Sequence, residues 1–333
     1  MYDRYKSKRK STGIYKFLGI VAILGVIIFL GTRYHRYLAF WKFSQNKLEK
    51  RIETVRQIRD VDKKREALTD LSDVYERYKE EHMVDPDAFY MSGGIRYMLG
   101  ETHLPGNFSE LYINDRVHDI SGDAKLQFLK AIKDIKKGCA LENSAPDERR
   151  GFMLAKAGFY TGYSTPLEIL RLIEKSGEPI KLKEDLENIR FYSIVNIMNK
   201  REDYGLKYLA AYGMVKDNMQ GLLFYATAER VAKKYTGAIV SYKNVLARTS
   251  DDKVRKLVHI NLGKIYFNQS LYRESIDQFN QALKIDERDS MPKIWIGKNY
   301  SAMGEKDKAK AIWSEVLTTD GANAEVKKLL GIM

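Results

Sequence analysis

The 333-residue sequence has one cysteine, six prolines and no tract rich in Gly/Ser, Gln/Asn or Pro. Cys139 alone excludes an intramolecular disulfide and any multi-cysteine zinc or iron–sulfur site. So few prolines leave room for many helices, and the absence of low-complexity tracts excludes a long flexible linker. No stretch alternates apolar and polar residues convincingly enough for a strand. His35, His82, His103, His118 and His259 show no HExxH or other close ligand spacing, and there is no Walker A sequence, GxGxxG or GxSxG elbow. Carboxylate runs such as Glu80-Glu81 and Asp251-Asp252 read as solvated helix ends. Basic neighbours in KKGCALEN suit a reactive thiol at Cys139, but an inert, half-buried cysteine is the expectation. Catalytic, cofactor-binding and metal-binding residues are therefore expected to be none, and the chain is not expected to be an enzyme.

Charge of one sign is concentrated at the start. Of the net +13, residues 1–31 carry +5, which leaves a mildly basic remainder of +8. The run RVAKKY at 230–235 is too short for a nucleic-acid stripe, so no nucleic acid is expected as partner. Behind the basic tail of residues 1–13 comes the one long apolar run, IYKFLGIVAILGVIIFLG, whose residues 17–31 have no charged or polar side chain. Counted from Gly13, with Lys16 reaching back to the headgroups, nineteen residues give about 28 Å of helix, enough to span a bilayer. No small-x-small cleavage pattern follows, so residues 14–31 are expected to be an uncleaved anchor. Tyr34, Tyr37, Phe40, Trp41 and Phe43 suit the far interface of residues 32–60. Five Lys/Arg in residues 1–13 against three in residues 32–46 favour an N-terminus in the cytoplasm and a periplasmic C-terminal part at the inner membrane. Lys47, Lys50 and Arg51 keep the reverse orientation open.

An echo near the C-terminus carries the architecture. HINLGKIY at 259–266 is answered by KIWIGKNY at 293–300, with Gly263 and Gly297 34 residues apart. Leu262, Gly263, Tyr266, Ser275, Phe279 and Ala282 recur as Ile296, Gly297, Tyr300, Ala309, Trp313 and Val316. The pattern resembles the tetratricopeptide repeat, with Glu287 and Gly321 where that repeat usually has proline. The resemblance implies two antiparallel helices per unit, which the small residues let approach closely while aromatics fill the space beside them. It weakens upstream. Ala226, Ala238, Tyr242 and Val245 fit one more unit, Ser193, Gly205, Leu209 and Tyr212 another, and AFYMSGGIRYMLGE at 88–101 looks like a first helix of the same kind.

The fold expected is all-α: an N-terminal transmembrane helix followed by a TPR-like α-solenoid of antiparallel helix pairs. Degenerate repeats are assigned to 61–185, clear ones to 186–319 and a capping helix to 320–333. Helices are predicted near 45–82, 86–100, 122–138, 147–161, 165–176 and 183–199. Residues 102–122 form the longest irregular candidate, a loop packed against the repeats.

The resemblance implies a groove, lined by the first helices, that receives a peptide or a partner's helix. Projecting the family's groove positions nominates Asn261, Lys264, Asn268, Trp295 and Lys298 as the partner-binding residues, and the two lysines imply an acidic partner. The layout resembles bacterial inner-membrane scaffold proteins of envelope assemblies, and more narrowly the repeat proteins of the periplasmic collar around spirochaete flagellar motors; an oligomeric assembly is left open. The alternative is a membrane-anchored chaperone-docking or translocation receptor with cytosolic repeats. Against its clamp of Lys, Asn and Arg, this chain has Asn261 in place but Trp295 where a basic residue is expected.

Overall fold

The structure, a computed structural model, describes residues 45–176, 186–213 and 218–332. The basic tail, the apolar run at 14–31 and the aromatic cluster from Tyr34 to Phe43 lie outside the described residues. Within them there are sixteen helices and no strand. The chain divides into two units, Met1–Met83 and Val84–Met333.

The first unit contains α1 (Gln45–Arg56) and α2 (Val61–Glu81). One helix was expected over 45–82, and the break at 57–60 has a local cause. Asp60 is extended and its carboxylate accepts the Lys63 N–H at 2.9 Å, a side-chain cap that starts a new helix. Leu68, Leu71 and Tyr75 recur at helical spacing and are buried.

The second unit is built of helix pairs: α3 (Pro86–Thr102) with α5 (Gly122–Glu142), α6 (Glu148–Thr161) with α7 (Pro166–Ser176), and α8 (Leu186–Met198) with α9 (Glu202–Tyr208). Then follow α10 (Met219–Val231) with α11 (Tyr235–Arg248), α12 (Asp252–Asn268) with α13 (Tyr272–Ile285), and α14 (Ser290–Ala302) with α15 (Lys306–Thr319). The short α4 (Phe108–Ile113) interrupts the first pair, and α16 (Ala324–Leu330) closes the last. The helices begin where the sequence supplies caps. Asp85, Ser121, Asp147, Asn218, Asp251, Asp289 and Asn323 each accept a backbone N–H of the first turn. Pro86 and Pro166 occupy first-turn positions where a missing N–H costs nothing.

Pairing is close because glycine faces aromatic. A Cβ at Gly263 would lie 2.7 Å from the Phe279 ring, and one at Gly297 would lie 2.2 Å from Trp313 Nε1. Ser275 Oγ donates to the Gly263 carbonyl at 2.9 Å, so the two small positions of that repeat touch. The same geometry persists upstream, where Gly100 abuts the Phe128 ring and Gly205 abuts the Ser193 carbonyl. The degenerate first pair of this unit is therefore packed like the later ones. The second helix of the α8 pair is shorter than the sequence implies, passing after Tyr208 into a π-turn over Leu209–Gly213. At the C-terminus Val326 is fully buried and, with Leu329 and Leu330, covers Trp313 and Val316 as a cap.

Candidate functional site

The first helices of successive pairs carry the nominated residues, and the decisive feature comes from elsewhere in the chain. In the pairs α10–α11, α12–α13 and α14–α15 the two helices are joined by three residues, at 232–234, 269–271 and 303–305. Between α3 and α5 the connection runs from 103 to 121. It folds across the first helices of later pairs, so the expected loop contains a helix of its own. Asn107 starts α4 with a reciprocal cap: its side chain accepts the Glu110 N–H, and the Glu110 carboxylate accepts the Asn107 N–H.

Phe108 on α4 meets Phe159, Phe191 and Phe224 at ring-centre distances of 5.9, 5.2 and 6.2 Å. Tyr112 meets Phe224 at 5.6 Å. A polar clasp supports this aromatic seat. Ser109 donates through its N–H and Oγ to the Glu187 carboxylate, and the buried Arg190 guanidinium donates to both Ser109 Oγ and Glu187.

The segment ends with an acid set between two cations. Asp115 accepts from Arg230 Nη2 at 2.7 Å through one oxygen and from Lys264 Nζ at 2.5 Å through the other. Burial acts to raise the Asp115 pKa, but the adjacent guanidinium and ammonium outweigh it and hold the carboxyl below its ordinary value. Lys264 is shifted downward, first by its own burial and then by the like charges of Arg230 and Lys298, with Asp115 opposing.

Each nominated residue can now be placed. Asn261 is buried; its Nδ2 donates to the Leu257 carbonyl at 3.0 Å, and its Oδ1 has no hydrogen-bond partner. Lys264 is largely buried and engaged by Asp115. Asn268, at the end of α12, is exposed. Trp295 is half-buried, stacked on Phe279 at 5.8 Å and 15° and meeting Phe267 edge-on at 5.2 Å. Lys298 Nζ lies 4.3 Å from the centre of the Trp295 ring and pairs with Glu325 on α16 at 2.6 Å, while Lys264 approaches the same ring at 5.8 Å. The structure thus brings Lys264, Trp295 and Lys298 together. Sequence reasoning missed Arg230 and Asp115. Arg230 lies four residues after Ala226, at a groove position of the upstream unit, and was readable there; nothing in the sequence pointed to Asp115.

Among the described residues no group of three His, Cys, Asp or Glu side chains is placed to hold a metal ion, and Cys139 is half-buried and free.

The sequence model of the tetratricopeptide repeat matches residues 258–289, the unit formed by most of α12 and all of α13. No curated protein sequence matches the chain. Among solved structures, a tetratricopeptide repeat protein from Parabacteroides merdae superposes with a TM-score of 0.52 at 14% identity, covering 86% of this chain and 98% of its own. The signal-transduction ATPase PH0952 from Pyrococcus horikoshii, which has a tetratricopeptide repeat sensor, gives 0.45 at 13% identity over 76% of this chain and 40% of that one. Yeast Tom70 gives 0.40 at 15% identity over 81% of this chain and 58% of its own. The first of these agrees with the helix-pair geometry: the fold is an all-α helical-repeat solenoid of tetratricopeptide type.

Proposed function

We propose that this protein is a membrane-anchored adaptor whose repeat surface binds a protein partner, with residues 14–31 as the anchor and the helical units outside the cytoplasm. Repeat solenoids of this kind bind other proteins or peptides along the face made by their first helices. The observation that supports the reading is the Trp295 site. A half-buried indole is pre-oriented by Phe279 and Phe267, with Lys298 and Lys264 beside it, and the exposed Asn268 follows Phe267 in the chain. Rigid aromatic and cationic side chains held in place before binding are what an interface anchor requires. No catalytic role is proposed for any residue, and assembly of an envelope complex is the setting the anchor and the repeats fit together.

Replacing Lys264, Trp295 and Lys298 together is a poor test, because two of the three are built into the fold. A photo-crosslinking side chain at exposed Asn268 is better, compared with one at exposed Val240 on α11. In the producing cells, Asn268 should yield a discrete protein adduct and Val240 should not. Adducts from Val240 alone, or from neither, would place binding away from the first helices.

A further inference from the structure

Three cations stand on the first helices of three successive pairs: Arg230 on α10, Lys264 on α12 and Lys298 on α14. Two carboxylates of the same chain already lie on them, Asp115 across Arg230 and Lys264, and Glu325 on Lys298. Neither belongs to a first helix. Asp115 arrives on the long 103–121 connection and Glu325 on the capping α16. The strip therefore shows its own chemistry, binding carboxylates delivered from outside the repeats, and three cations against two acids leave it with surplus positive charge.

The way Asp115 is held matters. Its backbone is fixed at the end of α4, with φ 54 and with Asp115 and Arg116 N–H groups closing on the Tyr112 and Leu111 carbonyls at 3.1 and 2.7 Å. Phe108 and Tyr112 anchor the preceding turn in the aromatic seat. The Asp115 side chain itself is 38% exposed, whereas those of Arg230 and Lys264 are 12% and 10% exposed. The acid is thus more exposed than either cation it pairs with. Glu325, at 55% exposure, is freer still.

We infer that Asp115 and Glu325 are built-in competitors on a carboxylate-binding strip, and that the partner is an extended acidic segment whose carboxylates replace theirs. This rests on the adaptor reading and specifies the partner's chemistry and the regulation of its site. One carboxylate spans Arg230 and Lys264, as Asp115 does, and a second reaches Lys298, as Glu325 does, with Trp295, which both lysines approach, receiving an apolar contact between them. The competitors lower the strip's apparent affinity by the fraction of time they occupy it. A weakly acidic segment is excluded, and one with several carboxylates in register displaces both at once.

The test uses the full chain and a labelled peptide of three Glu-Gly-Ser units, with a Gln-Gly-Ser peptide as control, followed by fluorescence anisotropy. Asp115→Asn should tighten the glutamate peptide roughly tenfold and Glu325→Gln should tighten it less, with no gain for the glutamine peptide. Adding Lys264→Gln to Asp115→Asn, or Lys298→Gln to Glu325→Gln, should remove the gain, which separates the strip from the basic N-terminal residues. If the glutamate peptide binds but Asp115→Asn and Glu325→Gln leave its affinity unchanged, the competitor role is overturned. A gain that survives loss of the cation its competitor covers overturns the assignment to the strip. No binding by any form overturns the acidic partner. Should Asp115→Asn melt before it can be titrated, the exposed Glu325→Gln decides alone, and absence of a gain there overturns the proposal. In each of these cases the adduct at Asn268 still reports separately on the adaptor reading.

Discussion

Gly297 and Asp115 show how much one position can decide. At Gly297 any Cβ enters the indole of Trp313, whose Nε1 is held by the Ile294 carbonyl at 3.1 Å and has little freedom to yield. Gly297→Leu should therefore destabilise the C-terminal pair by about 1–3 kcal/mol, the usual cost of overpacking. Denaturant titration of the variant checks this, and a midpoint equal to the parent's would mean that the repeat register is misassigned. At Asp115 the argument is electrostatic. Burial favours the neutral acid, Arg230 and Lys264 favour the carboxylate more strongly, and the nearby hydroxyls of Tyr112 and Tyr242 remain neutral because burial raises both. A carboxyl whose folded pKa is depressed contributes stability that is fully present above its unfolded value of about 3.9 and is lost as pH falls through the lower folded value. Below about pH 4 the parent should lose melting temperature more steeply than Asp115→Asn, all other acids being common to both. Parallel acid limbs would show that the two cations do not hold the charge.

The helix pairs were legible wherever small and aromatic residues recur in phase. Gly263 with Phe279 and Gly297 with Trp313 define two pairs outright, and Ser193 with Gly205 defines a third despite its weaker signal. Side-chain caps stand as Asp, Asn or Ser before the helical runs, and the one at Asp60, which separates α1 from α2, went unread. The α4 segment was the least readable element. Six residues are too few for a periodic signal, and the partners of Phe108 lie 51 to 116 positions away at Phe159, Phe191 and Phe224. A segment stabilised only by such distant contacts looks like a loop in sequence. Its contribution is nevertheless that of core. Phe108 is 3% exposed, so Phe108→Ala should cost about 3–5 kcal/mol, against a few tenths for the exposed Asn114→Ala nearby. Equal, small losses at both sites would mean that the 103–121 connection is dispensable packing, and Asp115 would then lack the fixed backbone on which its competitor role depends.

At the scale of the whole molecule, the two kinds of apolar surface in this chain are sorted by position. Among the described residues no helix is long and apolar enough to cross a membrane. Their apolar side chains occur at helical spacing and are consumed between pairs, as the buried set from Tyr90 to Ile265 shows. Residues 17–31 are different in kind, apolar at every position and hence on every side of a helix, which leaves no polar face to present to water. If those residues are the anchor, deleting 1–31 should shift the protein from the membrane fraction to the supernatant without changing its fold. Deletion also removes +5 of net charge, so electrostatic attachment to anionic lipid must be separated from insertion. Extraction of the intact protein at high salt does this: a surface-bound tail releases as its charges are screened, whereas a spanning helix stays. The truncated protein should remain strongly helical by circular dichroism, since every helix of the described residues lies within 45–330. Intact protein released by salt would assign membrane contact to the basic tail. Truncated protein that still pellets with membranes at high salt would place a second attachment in the helical units, and the adaptor would then meet the bilayer through its repeats.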